Sequence, residues 1–159
     1  MHYPLSIPLV ALLAATPPGQ ALSQEALTLG VTTNDEYGAY LVGPDDRPVY
    51  TLLTDLEAGD GQDPLDSCNE ECREHWPVLM VEDELRVDDG LDPDLAETMD
   101  WQGERVATYG GHPLFYFVND GPHQDPGGQG MFTYGGYWAL LSPEGRPLRT
   151  DAMPAAGQE

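Results

Sequence analysis

Three features of the sequence predict an all-β fold: a small β-sandwich or partly closed barrel made of two related β-units, with one short disulfide-bearing helix. Short runs rich in Val, Leu, Tyr and Thr recur along the chain, and clusters of Gly, Pro and Asp separate them. One octet occurs twice, as Pro-Val-Tyr-Thr-Leu-Leu-Thr-Asp at 48–55 and Pro-Leu-Phe-Tyr-Phe-Val-Asn-Asp at 113–120. Each starts on proline, runs aliphatic then aromatic, and places aspartate last. Many short strands between turn signals suit packed sheets or a barrel.

Residues 27–33 and 37–42 are β-rich and predict two strands. Gly43-Pro44-Asp45-Asp46-Arg47 is a turn, after which 49–53 returns as a strand. The loop 55–66 holds Asp55, Glu57, Asp60, Asp63 and Asp66. Such oxygen donors suit a divalent cation, although their spacing departs from the EF-hand loop, and a solvated acidic loop is the plainer reading. Ser67 with Glu70 reads as a capping box that opens a helix. Trp76-Pro77 closes it, because the residue before proline avoids helical geometry. On that helix Cys68 and Cys72 share a face, about 6 Å apart and within disulfide reach.

The polar stretch 82–101 reads as an irregular or partly helical connection. Residues 105–109 predict a strand, and Gly110-Gly111 a two-residue hairpin turn. Gly135-Gly136 reads as the turn of a second hairpin between 131–134 and 137–141. On this reading 24–148 is one domain, with units at about 37–66 and 105–148 joined by 67–104, and 149–159 is a disordered tail.

Residues 1–23 read as a secretory signal: an uncharged apolar run over 4–15, then small residues Ala21 and Ser23 ahead of a cut before Gln24. The run is shorter than the ~20 residues that a membrane span needs. No cysteine stands at the cut, so the expected product is exported, periplasmic or secreted, and not lipid-anchored. Past Gln24 lie all 28 acidic residues, against six arginines and no lysine, for a formal net charge of −22. That charge repels nucleic acid and anionic membranes, which excludes both as partners, and it attracts cations, divalent ones included. In an oxidising compartment two cysteines lean towards a disulfide.

The order of motifs resembles the secreted-repeat family of predicted bacterial lipoproteins, which carry a repeated aromatic-x-x-x-x-Asp motif. Tyr50 to Asp55 and Phe115 to Asp120 match that motif, and Cys68, Cys72, Trp76 and Pro77 match the family's cysteine-tryptophan-proline stretch. Tyr109, Gly111, Pro113, Leu114, Tyr116, Asp120, Gly128, Gln129, Gly130 and Trp138 match its second half. The resemblance spans about 37–143 and implies an envelope or periplasmic address, an unidentified envelope or extracellular partner, and no assigned activity. The chain departs from the pattern by lacking the lipid-bearing cysteine and by carrying His75, His112 and His123.

Cys68, Cys72, His75 and Met80 are candidate copper ligands, since copper selects thiolate, thioether and imidazole. Their order resembles the binuclear copper loop of cytochrome oxidase subunit II, with His75 one residue early and Met80 one late. A disulfide, a redox pair and a metal site are therefore the three readings of the cysteines, and the disulfide leads. His112, His123 and Met131 form a second soft set only if their loops converge. Asp55 and Asp120 end equivalent strands, as a carboxylate pair or, more simply, as loop caps. No Gly-x-Ser-x-Gly elbow occurs, and no Lys follows Gly127-Gly128-Gln129-Gly130. The many aromatic residues are read first as core. The expected function is a non-enzymatic binding or interaction module without a cofactor; the alternative is a periplasmic copper-binding or electron-transfer protein.

Overall fold

A computed structural model describes Gly19 and residues 26–56 and 59–154. The expected signal segment 1–23 lies, Gly19 apart, outside them. The described chain is mostly β, in three three-stranded sheets of which none closes. In the first, β1 (Leu27–Asn34) pairs antiparallel with β2 (Gly38–Val42) and parallel with β4 (Leu85–Val87). In the second, β3 (Tyr50–Leu53) pairs with β9 (Gly136–Leu140), and β9 with β8 (Phe132–Thr133). In the third, β5 (Ala96–Trp101) pairs with β6 (Glu104–Tyr109), which turns through Gly110-Gly111 into β7 (His112–Pro113). Both glycines there have positive φ, 59° and 82°, as a two-residue hairpin requires.

Single bridges weld these sheets into a larger layer. Tyr50 and Phe115 exchange both backbone hydrogen bonds (N···O 2.8 and 2.9 Å), so the two octets lie antiparallel, third residue opposite third. The β2–β3 and β6–β7 hairpins are each prised open by another strand, with the same bonding. In one, Leu114 N–H donates to Ala107 O (3.0 Å) and Ala107 N–H to Leu79 O (2.9 Å). In the other, Val49 N–H donates to Leu41 O (3.2 Å) and Leu41 N–H to Leu141 O (3.0 Å). Three residues ahead of Leu79 and Leu141 stand Trp76 and Trp138, whose rings stack face to face at 3.8 Å and 2°. Each also meets the third residue of an octet edge-on: Tyr50 on Trp76 (5.4 Å, 87°) and Phe115 on Trp138 (5.1 Å, 84°).

Because successive strand side chains point to opposite faces, this layer carries two apolar surfaces. Tyr50, Phe115, Phe117, Trp76, Trp138 and the cysteines pack on one; Leu41, Val49, Leu79, Leu114 and Leu141 pack on the other, against Leu29 of β1. Burial on both faces is the reason the octets are apolar almost throughout and do not alternate.

Four local expectations are corrected. The helix is two pieces, α1 (Pro64–Ser67), capped by Asp63, and α2 (Glu70–His75), capped by Asn69, whose Oδ1 accepts from Cys72 N–H at 3.0 Å. Ser67 therefore ends α1, and its hydroxyl bonds Tyr134 O (2.5 Å) in place of a helix end. Cys68 is the C-cap of α1, so only Cys72 lies within α2. The connection 82–101 contains β4, a 3₁₀ turn at Pro93–Leu95 and β5. The second hairpin turns on Tyr134-Gly135, since Phe132 pairs with Tyr137 and Thr133 with Gly136; a Cβ on Gly136 would come within 2.4 Å of Leu53 O, so that glycine serves close packing. Residues 149–154 are packed through buried Met153, which meets Leu53, Leu56 and Ala139; 155–159 are outside the described chain.

A Cβ on Gly128 would stand 2.6 Å from Trp76 Cη2 and 3.1 Å from Tyr50 Cζ. Gly128→Ala is expected to lower stability by about 1–3 kcal/mol in urea unfolding, because it overpacks the aromatic stack.

Candidate functional site

Each octet begins with proline, which has no N–H to continue the ladder towards the other octet. At one end of the paired octets an arginine side chain takes over. Arg47, just before Pro48, donates from Nη2 to Phe117 O (3.1 Å) and from Nε to Asp120 O (3.0 Å). Its guanidinium lies 4.3 Å above the Tyr116 ring, a cation–π contact. Beside it Asp120, only 5% exposed, accepts from the Tyr50 hydroxyl and from Gly127 N–H (2.9 Å), while Gly128 N–H donates to the Tyr50 oxygen (3.1 Å). Burial and then the bond to Asp120 hold the Tyr50 hydroxyl far above its ordinary pKa, so Tyr50 is the donor in that pair. Asp120 is thus a loop cap, as one of the two sequence readings has it.

At the other end the corresponding residues, the closing aspartate apart, are smaller or less polar. His112 precedes Pro113 where Arg47 precedes Pro48; Thr51 stands for Tyr116, Leu52 for Phe117, and Phe115, without a hydroxyl, for Tyr50. Asp55, the counterpart of Asp120, is exposed. The result is a cleft of about 400 Å³ whose lining includes Leu52, Thr54, Asp55, His112 and Pro113. Asp63, Met99 and Arg149 also line it. Thr51 Oγ1 is buried and has no partner among the described residues. Burial pushes the His112 imidazole below its ordinary pKa, with the negative charge of Asp55 acting against that shift. Arg149 donates from Nη1 to Pro154 O (3.1 Å), and Asp63 Oδ1 caps Leu65 N–H (3.0 Å).

The remaining candidates are placed as follows. Cys68 and Cys72 form a disulfide, fully buried beside Trp76. His75 is exposed, its Nδ1 3.1 Å from Glu71 O and 3.4 Å from the Tyr134 hydroxyl. Met80 bridges to Val106. Among the described residues no group of three or more His, Cys, Asp or Glu side chains is arranged to hold a metal. His112 and His123 line different clefts, and His123 Nε2 sits 3.5 Å from Asp46 Oδ2. Asp60 accepts from Gln62 N–H (2.9 Å) and shares the single Ser67 hydroxyl proton (2.5 Å) with Tyr134 O, so loop carboxylates serve turns. Asp55 and Asp120 share no cleft among those found in the described chain.

The residues on which the sequence resemblance rests have structural roles. Gln129 Nε2 donates to Leu148 O (2.7 Å) and its Oε1 accepts from Leu140 N–H (2.7 Å), pinning the end of β9. Gly130 N–H donates to Trp138 O (2.8 Å), Tyr109 hydroxyl to Pro143 O (2.6 Å), and Pro77 O accepts from Tyr116 N–H (2.8 Å). Tyr40, Tyr50, Tyr109, Phe115, Phe117 and Trp138 are core. The sequence shows Arg47 only as the end of a turn, although comparing the octets one residue further upstream exposes its contrast with His112. Neither a family model, nor a curated protein, nor a solved structure matches the chain.

A histidine held below its ordinary value of 6.5 binds fewer protons folded than unfolded, so His112 withdraws stability as pH falls from about 6.5 towards its depressed folded pKa. The thermal midpoint of His112→Gln should therefore lose less than that of the parent between pH 7.5 and 5. Replacing both cysteines by alanine should cost about 2 kcal/mol in urea unfolding, the entropy of so short a closed loop.

Proposed function

We propose that the chain is an exported, acidic, non-enzymatic binding module of the periplasm or cell exterior, related to the secreted-repeat family, and that the cleft between the end of the first octet and the start of the second is its ligand site. One observation carries the reading. The two ends of the paired octets are built alike, yet one is filled by Arg47, Tyr116 and the Tyr50–Asp120 bond, and the other is left as a cleft with a solvent-facing carboxylate and a half-buried imidazole. An apolar floor with a few convergent polar groups is the usual form of a binding site, and its volume lies in the usual range. The repeated octets, the paired tryptophans and the matching hairpins support two related β-units, with 67–81 belonging to the first.

The copper or electron-transfer alternative uses Cys68, Cys72, His75 and Met80 and needs free thiolates. Here the sulfurs are bonded to each other and buried, which favours the binding reading.

The export reading is tested by expressing residues 1–159 in a Gram-negative host: the periplasmic product should have the mass of a chain starting at Gln24 and lacking two hydrogens. A product retaining residues 1–23 contradicts it. For the cleft, the test is titration of the ¹⁵N-labelled mature chain with glucose, acetate, methylamine and benzyl alcohol. At least one probe should move the amide signals of Leu53, Thr54 and Gly111, and His112→Trp, which fills the cleft, should abolish that movement. If none of these probes, nor an arginine derivative, moves those signals, the cleft is not a ligand site.

A further inference from the structure

We propose that the open end of the octet pair binds the guanidinium of an arginine side chain presented by a partner polypeptide, which takes the place that Arg47 holds at the closed end. The inference deepens the binding reading above and rests on it.

The closed end shows what this geometry accepts. There a guanidinium fills the space beside a proline-started octet, satisfies the carbonyls of the fifth and eighth octet residues, Phe117 and Asp120, and covers the fourth, Tyr116. The octets meet third residue to third through reciprocal hydrogen bonds, so the same positions recur at the open end as Leu52, Asp55 and Thr51. His112 is too short to do the work of Arg47. Among the described residues its ring makes no hydrogen bond or ion pair. The carboxylate of Asp55 differs from that of Asp120 in the way a cation site requires. Asp120 is buried and bonded to the Tyr50 hydroxyl; Phe115, at the position matching Tyr50, has no hydroxyl to offer, and Asp55 stays exposed at the cleft.

A second carboxylate, Asp63, also lines the cleft, with its Oδ1 capping Leu65 N–H, and the one arginine in the lining, Arg149, is turned to the Pro154 carbonyl. A chain of net charge −22 draws cationic polypeptides and repels acidic ones. Guanidinium suits the site better than ammonium, because its planar fork can bond a carboxylate and carbonyls together while its face lies on apolar surface.

The test uses the mature chain from Gln24, ¹⁵N-labelled, at about 0.15 M salt to screen diffuse attraction. The probe is N-acetyl-arginine methylamide, and the control is its neutral citrulline isostere. The arginine probe should shift the amides of Leu53, Thr54 and Gly111 with a dissociation constant on the order of 1 mM, and the isostere should bind about tenfold more weakly or not at all. Asp55→Asn, an exposed substitution that leaves the core intact, should weaken the arginine probe by roughly three- to tenfold. His112→Arg should abolish binding by filling the site from within, and should raise the thermal midpoint.

Equal binding of the isostere overturns guanidinium recognition while leaving the cleft a binding site, as does binding of glucose or acetate with none of the arginine probe. Shifts confined to amides outside the cleft overturn the proposal as surface attraction. Silence from every probe overturns both readings. If His112→Arg fails to fold, Asp55→Asn and the isostere decide the matter alone.

Discussion

The reciprocal hydrogen bond between Tyr50 and Phe115 is the constraint on which the rest of the structure depends. It sets the two octets antiparallel with like positions opposed, and everything around it follows that register. The tryptophans at 76 and 138 are brought ring to ring, each flanked edge-on by the aromatic residue of an octet. Two hairpins open in the same way to admit Leu79 and Leu141, and the two faces of the joined layer become two apolar surfaces. A one-residue slip would turn every one of these side chains to the wrong face.

Near-symmetry makes the differences informative. One hydroxyl, present on Tyr50 and missing on Phe115, decides whether the aspartate ending the opposite octet is buried or left in water. One residue before proline, Arg47 or His112, decides whether the end of the octet pair is filled or open. These are small chemical changes on a shared frame, and together they leave one end with a carboxylate that is unengaged among the described residues and an apolar floor. The disulfide belongs to the frame: it ties α1 to α2 just before Trp76 and packs in the same core. Trp138 reaches its place without such a staple, from the β8–β9 hairpin.

Local signals were legible in the sequence where local chemistry decides the outcome. The Gly110-Gly111 turn, the turn at 43–47, the stop at Trp76-Pro77 and the strand of the first octet all rest on residues a few positions apart; of the second octet only Pro113 lies in a strand, and Phe115 is held by single bridges to Tyr50 and Val78. What was not legible depends on distant partners. Asn69 out-competes Ser67 as a cap because Ser67 is drawn to Tyr134 O across the fold. The polar sequence of β5 gives little hint of a strand, since its outer face meets water and its inner order comes from β6. The Tyr134-Gly135 turn is displaced by one residue because Gly136 must pass close to Leu53 O. The cleft was invisible for the same reason: its walls come from both octets, the acidic loop and the chain near Arg149.

The most direct test of the asymmetry is a pair of double-mutant cycles read by urea unfolding. Tyr50→Phe with Asp120→Asn should couple by about 1–3 kcal/mol, the worth of a buried bond to a charged group. Phe115→Leu with Asp55→Asn, at the matching positions of the open end, should be additive. Equal coupling at both ends, or none at either, would contradict the account.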